Sequence, residues 1–197
     1  MVPPLGLALA LLLGAVMMAL TLPGRTAAAA DITSKLTFTD VKITNSSGST
    51  TIESWQEARL HANWSIPAST TVAAGDSFSL VLDPNGPVRL IQDITFPLTT
   101  DPSDPNAPTV GTCTGLRATG GVTCTFNDYY TTHTVGRNGT IYVGLRQEAT
   151  TVGGHTTTVT IDGEATTIPY EVKQGTPFAG LEYGKDGLIQ DDGTVEW

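Results

Sequence analysis

The stretch HANWSIPASTTVAAGDSFSLVLDP, residues 61–84, decides the fold. Leu60, Ala62, Trp64 and Ile66 alternate with polar residues and read as a half-buried strand, with Trp64 pointing into the core. Pro67 closes that strand, because it has no N–H to give to a ladder. The small-residue run ASTTVAAG (68–75) carries the chain across the fold. Asp76 then opens a second strand, in which Phe78, Leu80 and Leu82 alternate with Ser77, Ser79 and Val81. Strand punctuation is strong here, and no residue in the stretch reads as a nucleophile or a metal ligand.

Working outward, strand-like runs recur at short intervals. KLTFTDVKIT (35–44) alternates Leu36, Phe38, Val41 and Ile43, with a slip at Thr39-Asp40 that suits a bulge. NSSGST (45–50) is a turn cluster. In TIESWQEARLHANWSI (51–66), Glu53, Gln56, Glu57, Ala58 and Arg59 favour a turn of helix before the alternation begins. VRLIQDITFPL (88–98) reads as one strand with Pro97 at its end, and TTDPSDPNAPT (99–109) as a surface loop. Arg137-Asn138-Gly139 reads as a turn before a strand at 140–147. Residues 156–172 read as a hairpin with Asp162-Gly163 at the tip. Many short strands with almost no helix predict an all-β, immunoglobulin-like β-sandwich with Greek-key topology.

The N-terminus differs in kind. LGLALALLLGAVMMALTL (5–22) is apolar almost throughout and is followed by PGRTAAAA. This predicts a secretory signal peptide over 1–30 with an A-x-A site at Ala28 and Ala30, although MVPP carries no Lys or Arg. The rival reading is a membrane anchor. Export implies an oxidising compartment. Cys113 and Cys124, in GTCTGL and GVTCTF, face each other across a predicted hairpin and are expected to form a disulfide. The domain is expected over 31–180, with 181–197 a linker and the first strand of a second, truncated Ig-like subdomain.

The net charge is −9, and the ten Lys and Arg are scattered, which argues against a nucleic-acid partner. There is no G-x-S-x-G elbow, no paired-histidine motif and no CxxC. His61, His133 and His155 lie in unrelated segments. No acid sits in an apolar run that would raise its pKa. Asp101 and Asp104 lack the order of a recognised calcium loop. No catalytic residue, metal ligand or cofactor is therefore expected, and no ligand-binding residue is named. Trp55, Trp64, Tyr129 and Tyr130 were the candidates for an exposed aromatic strip; Trp64 is in phase with the core, and Tyr129-Tyr130 should point one ring each way. Three N-x-[ST] sequons occur, Asn45 and Asn138 in predicted turns and Asn63 in a predicted strand.

NWSIPASTTVAAGDSFSLVLD, GTCTGLRATGGVTCTFNDY and GRNGTIYVGL, in this order, resemble the N-terminal Ig-like subdomain of Gram-positive, wall-anchored surface adhesins. That family comprises collagen- and fibrinogen-binding proteins and their actinobacterial relatives. GKDGLIQDDGTVEW (184–197) looks like the opening of the family's second subdomain. The resemblance implies a secreted cell-surface or cell-wall adhesin that is not an enzyme. Its partner would be an extracellular protein from host matrix or a neighbouring cell, held as an extended segment at a sheet edge or in the groove between subdomains. Membrane contact would come only through the leader or an anchor outside this chain; no LPxTG-type signal occurs, so the anchor is inferred. The alternatives are a structural stalk and a carbohydrate-binding module. Some relatives carry a Lys–Asn isopeptide bond, but the sequence does not bring Lys35 or Lys42 to Asn138.

Overall fold

Period-two alternation puts one face of each strand into a shared core, and the computed structural model follows that pattern strand by strand. It describes residues 28–54, 56–149, 151–175, 188–189 and 195–196. A 3-10 turn (Thr33–Lys35) precedes β1 (Thr37–Thr44), β2 (Thr51–Glu53), β3 (Glu57–Ser65), β4 (Ser77–Leu82) and β5 (Val88–Arg89). Then come β6 (Ile94–Thr99), β7 (Thr109–Leu116), β8 (Gly121–Phe126) and the single helical turn α1 (Tyr129–Thr132). β9 (Asn138–Gln147), β10 (Gly153–Ile161) and β11 (Glu164–Lys173) complete the sandwich. β12 (Leu188–Ile189) and β13 (Val195–Glu196) form a separate two-stranded ladder.

One sheet has the order β1-β3-β9-β5, and the other β2-β11-β10-β4-β8-β7-β6. The chain passes repeatedly from one to the other. Strands distant in sequence therefore become neighbours, β3 with β9 and β4 with β10, as in a Greek-key Ig-like β-sandwich. The inner faces hold the alternating sets read from the sequence, Leu60, Ala62 and Trp64 on β3 and Phe78, Leu80 and Leu82 on β4, joined by Ala58 on β3 and by Ile141, Val143 and Leu145 on β9. Trp64 joins the sheets. Its ring lies 5.9 Å from Phe78 and 5.6 Å from Phe126, and 6.2 Å from Tyr130 of α1.

Several local expectations are realised. The β1–β3 register slips between Thr39 and Lys42, with Asp40 at φ 53°, so the bulge is present. The β10–β11 tip holds Asp162 at φ 52° and Gly163 at φ 78°, as a type I′ turn requires. Cys113 and Cys124 are bonded across directly paired positions of β7 and β8, both fully buried.

Others are corrected. No helical turn forms over 57–59; β3 already begins at Glu57, because Ala58 is in phase with Leu60 and pairs with Leu145. Ladder pairing and burial outweigh the high helical propensity of Glu and Ala. Residues 88–98 are not one strand. β5 pairs with β9 and β6 pairs with β7, and the chain changes sheets at residues 90–93 around buried Leu90. Pro97 lies inside β6, tolerated because β6 is an edge strand. The turn before β9 sits at Gly136 (φ 64°), and Asn138 is already in the strand. Tyr129 and Tyr130 lie on a helical turn, with Tyr130 buried and Tyr129 partly covered.

The predicted leader falls almost wholly outside the described residues, as do Trp55, Trp197 and most of 176–197. Val195–Glu196 of GTVEW pairs with Leu188–Ile189. Among the described residues no helix is long and apolar enough to cross a membrane.

Two measurements check this construction. Replacing both Cys113 and Cys124 by Ala is expected to lower stability by about 2–3 kcal/mol, the loop-entropy value for a closed loop of this length, in denaturant unfolding under oxidising conditions. Trp64→Ala is expected to cost about 3–5 kcal/mol, because a large ring leaves a cavity between two sheets that cannot both collapse onto it. A loss under 1 kcal/mol would contradict the bridging role.

Candidate functional site

Residues of β1, β3 and β9 that alternate with the core set form the outer face of the four-stranded sheet. Pairing aligns Thr39 with Asn63 and Thr140, and Lys42 with His61 and Tyr142. Thr140 Oγ1 donates to Asn63 Oδ1 at 2.8 Å. The His61 and Tyr142 rings lie 5.2 Å apart at 40°. The bulge at Asp40 turns its carboxylate back onto this face, where Lys42 Nζ donates to Oδ2 at 2.8 Å and His61 Nδ1 lies 3.4 Å away. The Lys42 hydrogen bond, helped by the Lys42 and His61 charges, holds the Asp40 carboxyl below the usual carboxylate range against the opposing desolvation. Arg59 stands 3.9 Å from Glu57, and Arg89 pairs with Glu148. With Arg146, four of the ten Lys and Arg of this acidic chain are on one sheet.

Two open grooves border this face. One, of about 750 Å³, lies between Asn63, Ser65, Asn138 and Thr140 on the sheet and Thr100, Asp101, Pro108 and Tyr129 beyond it. The other, of about 390 Å³, lies between Lys42, Arg59, His61 and Tyr142, the 45–48 turn, and Pro102 and Ser103. Residues 100–108 contribute to both, so this loop borders the face along the open side of β9. Its acids serve the loop itself. Asp101 Oδ1 accepts from the Ser103 hydroxyl at 2.6 Å and the Ser103 N–H at 2.8 Å, which pulls its carboxyl below the usual range. Asp104 Oδ1 accepts the Asn106 N–H at 2.9 Å. The two carboxylates build separate Asx turns. Among the described residues no three His, Cys, Asp or Glu side chains converge as a metal would need.

The histidines are not brought together. His61 is on the outer face, His133 stacks on Tyr129 with centroids 4.0 Å apart, and His155 stacks on Tyr170 across β10 and β11. Tyr130 is buried against Trp64 and Phe126, and burial pushes its phenol up to about 12. The sequons also separate. Asn45 spends its amide on its own turn, accepting from Ser47 and Ser49 N–H and donating to Thr51 O. Asn63 faces Thr140, and Asn138 is exposed at the start of β9. Lys42 is level with Tyr142, four residues along β9 from Asn138 and so about 13 Å away, and its ammonium is on Asp40.

Three residues that hold the site in place were read in the sequence only as turn or strand-opening residues. A Cβ on Gly139 would sit 2.7 Å from Trp64 Cζ2 and 2.8 Å from Thr100 O, so only glycine lets β9 pass between the indole and the loop. Arg137 is buried and donates Nη1 to Thr70 O at 2.7 Å and Nη2 to Pro67 O at 2.6 Å. Asp76 is also buried, and its carboxylate accepts the Ala73 N–H at 2.8 Å and the Ala30 N–H at 3.0 Å. An Arg or Asp beside Gly reads as a solvated turn residue; the only hint of more was the G-D pair opening the β4 run.

Two outcomes follow from this geometry. Gly139→Ala is expected to destabilise by about 1–3 kcal/mol through overpacking, read from the denaturant midpoint. In a carbon-detected NMR titration, Asp40 should titrate below the ordinary Asp range and move up towards it in Lys42→Ala. An Asp40 midpoint indifferent to that substitution would remove Lys42 as the cause.

Residues 51–161, more than half of the chain, match the model of a family described as bacterial Ig domain. No curated protein matches. Among solved structures, serine-rich repeat protein Srr2 from Streptococcus agalactiae is similar at 19% identity and a TM-score of 0.53, over 76% of this chain and 48% of that one. Serine-rich repeat adhesion glycoprotein Srr1 from the same organism gives 18% identity and a TM-score of 0.49, over 75% and 49%. A chain of the structure that combines manganese lipoxygenase of Gaeumannomyces graminis with part of zonadhesin of Komagataella pastoris gives 14% and 0.50, over 68% and 46%. The present chain spans about half the length of each of these.

Proposed function

This chain belongs to the bacterial Ig domain family, and from that premise we propose that its sandwich is the binding domain of a secreted, wall-attached adhesin. It holds an extended segment of an extracellular protein along the free edge of β9. The domain occupies 31–180, behind a secretory leader. The reading draws on the ordered motifs that resemble surface adhesins and on the absence of a catalytic motif in the sequence.

The observation that carries it is the pairing of β9. On one side β9 meets β3 from Asn138 to Arg146. On the other, β5 meets only Arg146 and Gln147. Among the described residues, Thr140–Leu145 has no ladder partner on that second side. Such an edge accepts an added strand through backbone hydrogen bonds, with selectivity left to neighbouring side chains. Here those neighbours are Tyr142 and the groove walls.

The test is solid-phase binding of the full-length protein to a panel of matrix and cell-surface proteins, including collagen and fibrinogen, followed by hydrogen exchange on any complex. Saturable binding with slowed exchange of amides in Thr140–Leu145 is expected. Binding that leaves those amides unprotected would sink the edge mechanism. No binding to any protein of the panel would leave a spacer domain and sink the adhesin reading.

A further inference from the structure

We propose that a signal peptidase cuts between Ala29 and Ala30, one bond before the Ala30–Asp31 bond, and that the new α-ammonium of Ala30 forms an ion pair with the buried carboxylate of Asp76. The inference uses only the export part of the functional reading and is independent of any ligand.

Asp76 is 5% exposed. Its backbone is fixed on both sides, its N–H donating to Ala73 O at 3.1 Å and its C=O accepting from Phe126 N–H at 2.8 Å. The carboxylate takes two amide hydrogens, from Ala73 and Ala30, and forms no ion pair with Lys, Arg or His among the described residues. A buried carboxylate without a counter-charge is costly, and a cation in hydrogen-bond contact offsets that cost. The nitrogen of Ala30 already stands 3.0 Å from Oδ1. Hydrolysis of the Ala29–Ala30 amide by water leaves a carboxylate on the leader and a primary amine on Ala30. That amine is protonated at neutral pH and puts a positive charge on the same atom without moving it.

The neighbouring contacts choose this bond. Ser77 N–H donates to Ala30 O at 2.9 Å, Ile32 N–H donates to Ser77 O at 2.8 Å, and Asp31 bridges Ser77. Residues 30–32 are thus docked along the start of β4. A cut after Ala30 removes both the Asp76 Oδ1 donor and the Ser77 acceptor. A cut after Ala29 keeps them, and Ala27-x-Ala29 satisfies the small-residue rule as well as Ala28-x-Ala30 does. The ion pair exists only in the processed chain, so the domain gains stability when the leader leaves.

The experiment has two readouts. The protein is secreted from a Gram-positive host and its N-terminus determined by intact mass and terminal sequencing; Ala30 is expected, and any other residue, or an uncut chain, overturns the proposal. Separately, chains beginning at Ala28 and at Ala30 are released from a fusion tag with no extra residue and melted, each with Asp76 and with Asp76→Asn. The Ala30 chain should melt higher by about 3 °C or more, and the gap should close in Asp76→Asn. If Asp76→Asn does not fold, enzymatic Nα-acetylation of the Ala30 chain replaces it and should erase the gain. Equal melting of the two native chains, or a gain that survives acetylation, overturns the ion pair.

Discussion

Trp64 reaches from β3 across the interior to Phe78 on β4 and Phe126 on β8, with Tyr130 of α1 against its edge. A ring of that size sets the spacing of the two sheets, because close-packed interiors transmit the volume of each side chain to its neighbours. The consequences run outward. β9 must carry glycine at 139 to pass the indole, and Thr100 O sits on the other side of that glycine. The start of the 100–108 loop, and with it the larger groove, therefore takes its position from a buried tryptophan.

The polar fastening around this core follows a charge rule. The run ASTTVAAG has one buried apolar anchor, Val72, and too little hydrophobic surface to hold itself down. Its two ends are held by opposite charges instead. Arg137 brings a cation to the carbonyls of Pro67 and Thr70, and Asp76 brings an anion to the N–H of Ala73. Each charge meets the end of the peptide dipole that suits it. Charge-assisted bonds of this kind are stronger than neutral ones and are geometrically specific. Small residues suffice in the crossing because buried charges anchor it.

This explains what was legible in the sequence. Alternation is a local signal, and it placed the core faces of β4 and of β3 from Leu60 onward, while two short strand-like runs marked the Cys113–Cys124 hairpin. Turn chemistry is equally local, as at Asp162-Gly163. What failed depended on partners far away in the chain. The change of sheets between β5 and β6 has no signature within 88–98, since both pieces are apolar and extended. Ala58 became strand because Leu145 was opposite it. Tyr129-Tyr130 read as one ring pointing each way, and the contacts of Tyr130 with Trp64 and Phe126 set them on a helical turn. The candidate face was the least legible, because it is made of unremarkable polar residues whose only distinction is their strand register.

The edges of the sandwich give the strongest argument for where a partner strand would go. An exposed edge is an aggregation hazard, and proteins blunt it by shortness, proline, bulges or covering loops. In the seven-stranded sheet, β2 is three residues long and β6 carries Pro97. In the four-stranded sheet, β1 is broken by the bulge at Asp40 and carries Lys42. β9 differs. It is ten residues long and lacks proline, and β5 covers two of its residues. A fold that blunts its other edges within the strands themselves leaves this one to a loop alongside it, with Thr100 O packed against Gly139.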